Sequence, residues 1–381
     1  MIIKKTLLLL GLIAATSATT LAQSGNTGGN ADSLSSALVP AAGYSSNEGV
    51  IGGIIYSRYD YRGEMEPFRS HVKASALAST RGYVKFRGAY EQTETFGRPI
   101  RSTLNLYFNR FTSNNFFGIG NEVPFDKKGW EEGFFYFESV GFGLGYELRK
   151  PLYRRGRSRL DLLAGAETEY QIPYVSREPS SFSRQQPRGR RGGWLNFLKT
   201  GFVWENRDRE FDPQHGNRLA LELRYAPDLV SRYAMGTARA ELRQYFKLFD
   251  EITVANLLEA RHAMGDVPYW ERSTLADGNT LRGYPLNRFQ GNSSVAYTLE
   301  LRSWLFEFPQ FYRLKLGMQL FTDTGRVFTE EDDFGDLFKG YKQTIGVGGA
   351  LSILNPDFIL RGEIGFSSDV SRIYVGVGYL F

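Results

Sequence analysis

The sequence predicts an all-β protein that folds as a 16-stranded antiparallel transmembrane β-barrel. Three observations support this fold class: apolar and polar residues alternate with a period of two, a Glu-x-Arg triplet recurs in the alternating segments, and the chain begins with an export signal. Composition alone conceals the fold, because the 381 residues are 42% hydrophobic and 23% charged, with a mean hydropathy of −0.33. No apolar run of about 18 residues follows the N-terminal segment, which excludes helical membrane spans.

The first residues have the order of a secretory signal peptide. Lys4 and Lys5 precede an apolar core over residues 6–15, and a run of small residues ends at Ala22. That apolar core is too short to act as a membrane-spanning anchor. We expect three segments: a signal peptide over 1–22, a flexible periplasmic tail over 23–36, and an outer-membrane β-barrel over 37–381.

The body of the chain alternates between apolar and polar residues, which is typical of strands. Over residues 312–323, one face is apolar and the other holds Lys315, Gln319 and Asp323. The last segment has an apolar residue at every second position, namely Ile373, Val375, Val377, Tyr379 and Phe381. Segments of about ten residues that are apolar on one face and polar on the other are typical of membrane barrels, which must close because lipid cannot satisfy a sheet edge.

A recurring charged triplet supports the same conclusion. Both charges of a Glu-x-Arg triplet point to one face of a strand, and the middle residue points to the other. We expect the charged face to line the barrel interior. The triplets are Glu147–Arg149, Glu222–Arg224, Glu241–Arg243, Glu259–Arg261 and Glu300–Arg302.

The number of strands and the loop lengths agree with a barrel in the outer membrane. The predicted strands are 37–46, 49–61, 69–79, 82–94, 101–112, 134–150, 158–171, 194–208, 217–226, 235–248, 251–264, 292–306, 311–324, 341–353, 358–367 and 372–381. An even number places both termini in the periplasm. The connections on one side are short, whereas the other side carries long loops at 113–133, 172–193, 265–291 and 325–340.

Several motifs together resemble the bacterial surface antigen family, the outer-membrane barrels of the BamA and TamA type. Leu281-Arg282-Gly283-Tyr284 is followed by Glu300 and then by Phe321-Thr322-Asp323-Thr324-Gly325. In that family, such a tetrad lies at the tip of the sixth external loop, which folds into the lumen. The resemblance implies that the arginine pairs with an acid on each of the next two strands. The implied loop-lumen pin comprises Arg282, Gly283, Tyr284, Glu300, Asp323 and Gly325.

Two further motifs fit the same family. The segment from Trp204 to Gly216 resembles its strand–turn–strand motif, with Arg207, Asp208, Pro213 and Gly216 at the motif positions and Glu205 where the family usually has Asp. Phe117-Gly118-Ile119-Gly120-Asn121 resembles a loop of its short members. The resemblance also implies that Tyr379 and Phe381 form a C-terminal signal for the outer-membrane assembly machinery.

The resemblance implies a role in outer-membrane assembly or in protein or lipid translocation. Assembly factors of the family carry periplasmic POTRA domains, for which the segment between the signal peptide and the first strand is too short. We therefore expect a stand-alone barrel that works with a separate periplasmic partner and contacts outer-membrane lipids and lipopolysaccharide. A small-solute channel and a surface-exposed structural or receptor barrel stay open as alternatives.

Other features carry weaker expectations. The scarcity of histidine and the absence of cysteine lead us to expect no enzyme, metal or cofactor. His71, His215 and His262 have no nucleophile or orienting acid at a recognisable spacing. A net charge of +5 without a basic–aromatic platform predicts no nucleic-acid partner. The arginines of the fourth external loop fit either lipopolysaccharide phosphates or a solvated loop, and Pro40 fits either a weakly paired barrel seam or a short first strand.

Overall fold

Strands dominate the structure, a computed structural model that describes residues 34–45, 48–62, 68–176, 178–310, 314–352 and 359–381. The predicted signal peptide and residues 23–33 lie outside the described residues. The first strand begins at Leu34, so the last three residues of the predicted tail belong to the sheet. No helix within the described ranges is long and apolar enough to cross a membrane.

Sixteen strands of the described chain form one antiparallel sheet in which each strand pairs with the next one. Two short strands, β12 and β13, pair with each other inside the connection between β11 and β14. The strands are β1 Leu34–Ser45, β2 Gly49–Asp60, β3 Ser70–Ser79, β4 Val84–Gln92, β5 Arg101–Asn115, β6 Tyr136–Arg155, β7 Ser158–Tyr174, β8 Gly193–Glu205, β9 Gly216–Ala226, β10 Met235–Leu248, β11 Ile252–Gly265, β12 Ser273–Leu275, β13 Phe289–Gly291, β14 Ser293–Phe308, β15 Leu314–Phe328, β16 Lys342–Ser352, β17 Ile359–Phe366 and β18 Ser371–Val377. The helices are α1 Lys127–Glu131 and α2 Ser181–Gln185, with 3₁₀ turns at Tyr269–Glu271 and Phe334–Phe338.

The chain divides into two compact units. Among the described residues, the first contains residues 34–112 and Ser139–Leu148, and the second contains Ser113–Glu138 and Arg149–Phe381. In the first unit β1 pairs with β2 along its whole length, with Pro40 opposite Ile54. All the site residues inferred from the sequence lie in the second unit.

In strands of the second unit, apolar side chains are exposed and polar side chains are buried, which is the reverse of the arrangement in a soluble protein. On β9, Leu219, Leu221 and Leu223 are exposed. On β15, Met318 and Leu320 are exposed, whereas Gln319, Phe321 and Asp323 between and beyond them are buried. The predicted alternation is therefore present, with the apolar face open and the polar face covered. An apolar exposed face suits lipid, which solvates it better than water does.

Charged triplets lie on the buried face as expected. Arg243 contacts Glu241 at 2.7 Å, Arg261 contacts Glu259 at 2.6 Å, and Arg302 contacts Glu300 at 2.8 Å.

Two predicted boundaries were wrong in an informative way. β6 continues through Pro151 to Arg155, although the predicted strand ended at residue 150. A proline is tolerated in a strand at a position where no N–H is needed for pairing. The predicted strand over 372–381 ends at Val377, where Gly378 has φ +81°. The long connections are called loop three (116–135), loop four (175–192), loop six (266–292), loop seven (329–341) and loop eight (367–370).

Candidate functional site: a buried arginine at the tip of loop six

Arg282 lies at the tip of loop six and is completely buried, with 0% of its surface exposed. Loop six leaves β11, folds back through the β12–β13 pair and returns to β14. At the tip, Leu281 has φ 44° and Gly283 has φ +116°, so the backbone reverses sharply around the arginine. A fully buried guanidinium is tolerated only where carboxylates compensate its charge.

Three carboxylates on three strands compensate Arg282. Asp323 on β15 accepts from the backbone N–H at 2.8 Å, from Nε at 3.0 Å and from Nη2 at 2.7 Å. Glu300 on β14 and Glu363 on β17 accept from Nη1 at 2.7 Å and 3.1 Å. The forked guanidinium reaches all three groups at once, which a lysine ammonium on its single stem would not do. The loop tip is thereby bonded to three strands of the sheet.

The cluster is balanced in charge and closed by neutral groups. Arg302 donates to Glu300 through Nε at 2.9 Å, and Arg361 lies 3.4 Å from Glu363. The hydroxyl of Thr298 donates to Asp323 at 3.0 Å. The cluster therefore contains three arginines and three carboxylates, which limits the cost of burying charge.

An aromatic ring supports the guanidinium from one side. The ring of Phe321 lies 3.5 Å from the Arg282 guanidinium carbon, a close cation–π contact. Gly346 on β16 faces that ring, and a side chain there would occupy the same space. The Phe-x-Asp-x-Gly motif thus supplies both the stacked ring and the main carboxylate of the cluster.

Two glycines allow the loop tip to touch the sheet backbone. A Cβ on Gly283 would lie 2.9 Å from backbone atoms of Gly365 and Phe366, and a Cβ on Gly365 would lie 2.6 Å from the Arg282 carbonyl. The Gly283 N–H donates to the Tyr374 hydroxyl at 2.9 Å. Close approach of two backbones requires residues without a side chain, so the pair sets how deeply the tip can sit.

The remaining motif residues pack the same loop. Tyr284 is buried against Phe289, and its hydroxyl lies 3.1 Å from the Ser368 hydroxyl. Leu275 of loop six packs against Gly325, where a Cβ would lie 2.9 Å from the leucine side chain. The structure therefore brings together all six residues of the pin inferred from the resemblance.

Sequence reasoning missed three contributors: Glu363, Tyr374 and Gly365. Glu363 follows Arg361 by two positions, the reverse order of the Glu-x-Arg triplet. A search for inward-facing charge pairs in either order would have found it. Nothing in the sequence pattern singles out Gly365 or Tyr374, because their roles depend on where the loop tip meets the sheet.

The strand–turn–strand motif forms a self-contained turn between β8 and β9. Arg207 pairs with Glu205 at 2.7 Å, so Glu205 supplies the carboxylate despite its departure from the family pattern. Asp208 Oδ1 accepts backbone N–H groups of Gln214 and His215 at 2.9 and 3.1 Å. Pro213 is buried within the turn, and Gly216 adopts φ +103° at the start of β9.

The C-terminal residues leave the sheet and pack on its buried face. Phe381 is buried beside Tyr245, Ala255 and Leu257 of β10 and β11. Arg302 stacks against Tyr379 and Phe381, with ring distances of 4.2 and 4.8 Å, and donates to the Phe381 carbonyl at 3.2 Å. The same arginine therefore joins the C-terminus to Glu300 of the buried cluster.

Two charged loops make ion pairs with neighbouring segments. In loop four, Arg188 pairs with Asp266 of loop six, while Arg190 and Arg191 are exposed. In loop seven, Asp332 pairs with Arg326 of β15, which also lies 3.7 Å from Asp336. These contacts position both loops.

The histidines do not assemble a catalytic triad in the described ranges. His71 donates to or accepts from Ser57 and stacks on Tyr59. His262 lies 2.7 Å from Ser293 across neighbouring strands, a serine that the sequence spacing did not indicate. His215 is exposed, 3.9 Å from Asp208. Within the described residues, the chemistry of the buried cluster is anchoring by charge-assisted hydrogen bonds.

The family is decided by a match over most of the sequence. A family model described as the Omp85 superfamily domain matches residues 70–381. The chain belongs to the Omp85 superfamily. This establishes the family inferred from the tetrad and the Phe-x-Asp-x-Gly motif. No curated protein matches the chain.

Solved Omp85-type barrels share the fold. BamA from Haemophilus ducreyi lacking POTRA domains 1–3 is 12% identical with a TM-score of 0.56, over 95% of this chain and 75% of that one. CdiB from Escherichia coli is 13% identical with a TM-score of 0.59, over 93% and 63%, respectively. CdiB from Acinetobacter baumannii is 11% identical with a TM-score of 0.53, over 91% and 60%. The chain thus spans less than two thirds of both CdiB chains. At these identities the similarity concerns the fold alone.

Proposed function

We propose that the chain is an integral outer-membrane β-barrel that acts in membrane assembly or in protein or lipid translocation with separate periplasmic partners. In this proposal the sixteen strands close into a barrel whose buried polar face lines the lumen. Loop six enters that lumen from outside. The segment over residues 1–22 directs export, and Tyr379 and Phe381 serve as the assembly signal during biogenesis.

The observation that carries the proposal is the fully buried Arg282 with its three carboxylates. A wide solute pore has no need for a loop held against the wall by buried charges. A loop anchored in this way fits a barrel whose interior must stay occupied until a client or partner arrives. Membership of the Omp85 superfamily supports the same reading.

Photo-crosslinking tests the partner directly. A photoreactive amino acid replaces His215, which is exposed in the β8–β9 turn on the proposed periplasmic side. The matched control replaces Leu229, which is exposed in the β9–β10 connection on the opposite side. We expect a periplasmic chain to be captured from His215 and not from Leu229. Capture of no periplasmic chain from His215, in cells where the barrel is correctly inserted, would argue against a partner-dependent role.

A small-solute channel is the second candidate, and one observation favours it. The buried face of β9 to β11 carries alternating charges, with Arg218 and Arg239 paired to Glu241 and with Arg239 and Arg261 paired to Glu259. Such a wall is polar enough to be wetted. Planar-bilayer recording separates the candidates, because large steady steps indicate a pore and small flickering steps indicate a plugged barrel.

The proposed lipid contacts lie in two places, the exposed face of the strands and external loop four. The exposed leucines of β9 meet the acyl chains. In this proposal Arg190 and Arg191 of loop four bind lipopolysaccharide phosphates; their exposure supports this, since guanidinium groups bind phosphate through paired hydrogen bonds. No enzymatic step, cofactor, metal or nucleic acid forms part of the proposal.

A further inference from the structure

Arg288 is a second buried arginine of loop six, with partners outside the Arg282 cluster. It is 4% exposed. Its Nε donates to Asp369 of loop eight at 2.7 Å, and its Nη2 donates to the Val123 carbonyl of loop three at 2.7 Å. One guanidinium therefore joins three loops that are far apart in the sequence.

Aromatic rings enclose the same guanidinium. Phe117 and Phe125 of loop three lie 5.0 and 5.3 Å from the Arg288 guanidinium carbon, and Phe289 lies at 4.8 Å. A cation among such rings is attracted to their faces, more strongly when water is excluded. Asp369 supplies the carboxylate that compensates the charge. Both features make this a built contact between loops and not an incidental surface pair.

Loop three continues along loop six beyond Arg288. The Gly120 N–H donates to the Gln290 carbonyl at 2.7 Å, as in a sheet. At the other end, the Asn287 side chain donates to that of Asn114 at 2.7 Å. These contacts flank Arg288 on both sides, so segment 287–290 lies against the end of β5 and against loop three, which follows it.

The two arginines have separate tasks. Arg282 bonds to strands, through Glu300, Asp323 and Glu363, whereas Arg288 bonds to loops three and eight. We propose that Arg288 is a positioning residue that holds loops three and eight over the tip of loop six and so narrows the outer opening of the barrel. This inference rests on the proposed barrel, and it assigns closure of the outer opening to contacts distinct from the Arg282 cluster.

Planar-bilayer recording of the full-length purified chain tests the assignment. Arg288→Ala is expected to raise the mean conductance several-fold and to lengthen open events. Arg288→Lys, which keeps the charge but not the forked contacts, is expected to give an intermediate value. Arg157→Ala removes an exposed arginine of the turn between β6 and β7, which has no role in the proposal, and serves as the control, with conductance as in the wild type. Wild-type conductance in Arg288→Ala would overturn the proposal.

A chemical tether separates loop closure from a general loss of structure. The chain has no cysteine, so Asn114→Cys and Asn287→Cys can be joined selectively by a short bis-maleimide, which holds loop six against the end of β5, where loop three begins. In the Arg288→Ala background, the tether is expected to return the conductance to the wild-type range. An open channel that persists after complete crosslinking would overturn the proposal. Where Arg288→Ala does not fold, Asp369→Asn replaces it. The tether is again expected to return the conductance to the wild-type range, and a channel that stays open after crosslinking would again overturn the proposal.

The result is distinguishable from failure of the proposed function. The partner test measures photo-crosslinking at position 215, on the opposite side of the membrane, and does not depend on conductance. A chain that captures no partner but opens in Arg288→Ala would retain the closure role and lose the partner-dependent function.

Discussion

Two charged regions on the buried face of the second unit differ in how much water reaches them. In the Arg282 cluster, both the arginine and its carboxylates are fully covered. The second region is the row of paired charges on β9 to β11, formed by Arg218, Arg239, Glu241, Glu259 and Arg261 and called the ladder below. In the ladder, the carboxylate of Glu241 is buried, but the side chain of Arg239 is 42% exposed. The same residue types are therefore used in two environments. Water screens the ladder, whereas the cluster must compensate its charges internally.

The difference in exposure indicates which region stabilises the fold and which forms a polar, hydrated surface. Removing one partner of a buried ion pair leaves an uncompensated charge, whereas a water-exposed charge is rehydrated when its partner is lost. The cluster also connects residues far apart in the chain, while the ladder connects neighbouring strands that already share backbone hydrogen bonds. We infer that the cluster fixes loop six and that the ladder makes the wall polar.

The largest effect is expected for Arg282→Ala. It leaves Glu300, Asp323 and Glu363 without their shared cation, which we expect to cost about 3–5 kcal/mol of unfolding free energy. Arg239→Ala in the ladder is the matched control, with an expected cost of about 0–1 kcal/mol. Denaturant unfolding in detergent micelles, followed by tryptophan fluorescence, measures both. Equal costs would remove the distinction between the two regions.

The C-terminal residue is expected to have the next largest effect. Phe381 is buried on β10 and β11 and stacks on Arg302, so Phe381→Ala should lower the stability by about 1.5–3 kcal/mol. The control is Val375→Ala, on the exposed face of β18. Refolding into micelles without any assembly machinery is the decisive measurement. A loss seen only in cells would assign Phe381 to biogenesis alone and not to the stability of the folded protein.

Close packing of the loop tip on β17 gives a third prediction. Gly365→Ala places a methyl group 2.6 Å from the Arg282 carbonyl, whereas Gly362→Ala on the same strand meets nothing within 4 Å. We expect a cost of about 1–3 kcal/mol for Gly365→Ala from overpacking. Gly362→Ala should be close to neutral. Thermal unfolding of the two variants in one detergent compares them, and similar midpoints would mean that the tip does not sit against this strand.

The smallest effect concerns an exposed pair between loop three and β16. Lys342 donates to Glu122 at 2.8 Å, and this hydrogen bond, helped by the charge of Arg326, lowers the pKa of the Glu122 carboxyl. The ionised carboxylate of Glu122 therefore stabilises the folded state. This stabilisation is fully present above the ordinary glutamate pKa of about 4.3, and it is lost as the pH falls through the lowered pKa. Glu122→Gln should therefore cost less than about 1 kcal/mol at pH 7, and the cost should shrink as the pH falls below the lowered pKa of Glu122. A difference in melting temperature that persists at the lower pH would contradict this ionic origin.

Periodicity predicted the sheet well because a strand repeats every two residues regardless of its neighbours. It failed where a local backbone feature overrides the pattern. Tyr379 and Phe381 continue the alternation of β18, yet the positive φ of Gly378 turns them towards Arg302. A glycine permits either path, so the sequence alone does not choose between them.

The buried cluster was only partly predictable for a different reason. Arg282, Glu300 and Asp323 lie in motifs with a fixed order along the chain, and the resemblance named them together. Glu363 is 81 positions from Arg282 and meets it only through the fold. Arg288 follows the motif by a few residues, but its partners belong to loops three and eight. Contacts between distant loops leave no periodic trace in a sequence.

A double-mutant cycle between Arg282 and Glu363 tests the central claim that the tip of loop six is bonded to the β14–β17 wall. Arg282→Met, Glu363→Gln and the double variant are unfolded in the same detergent. We predict a coupling free energy of about 1–3 kcal/mol, because Glu363→Gln removes a buried charge that Arg282→Met leaves with Arg361 as its remaining cation. The double variant should then be more stable than the sum of the single effects allows. Strict additivity would contradict the claim, because it would mean that the two side chains do not interact in the folded protein.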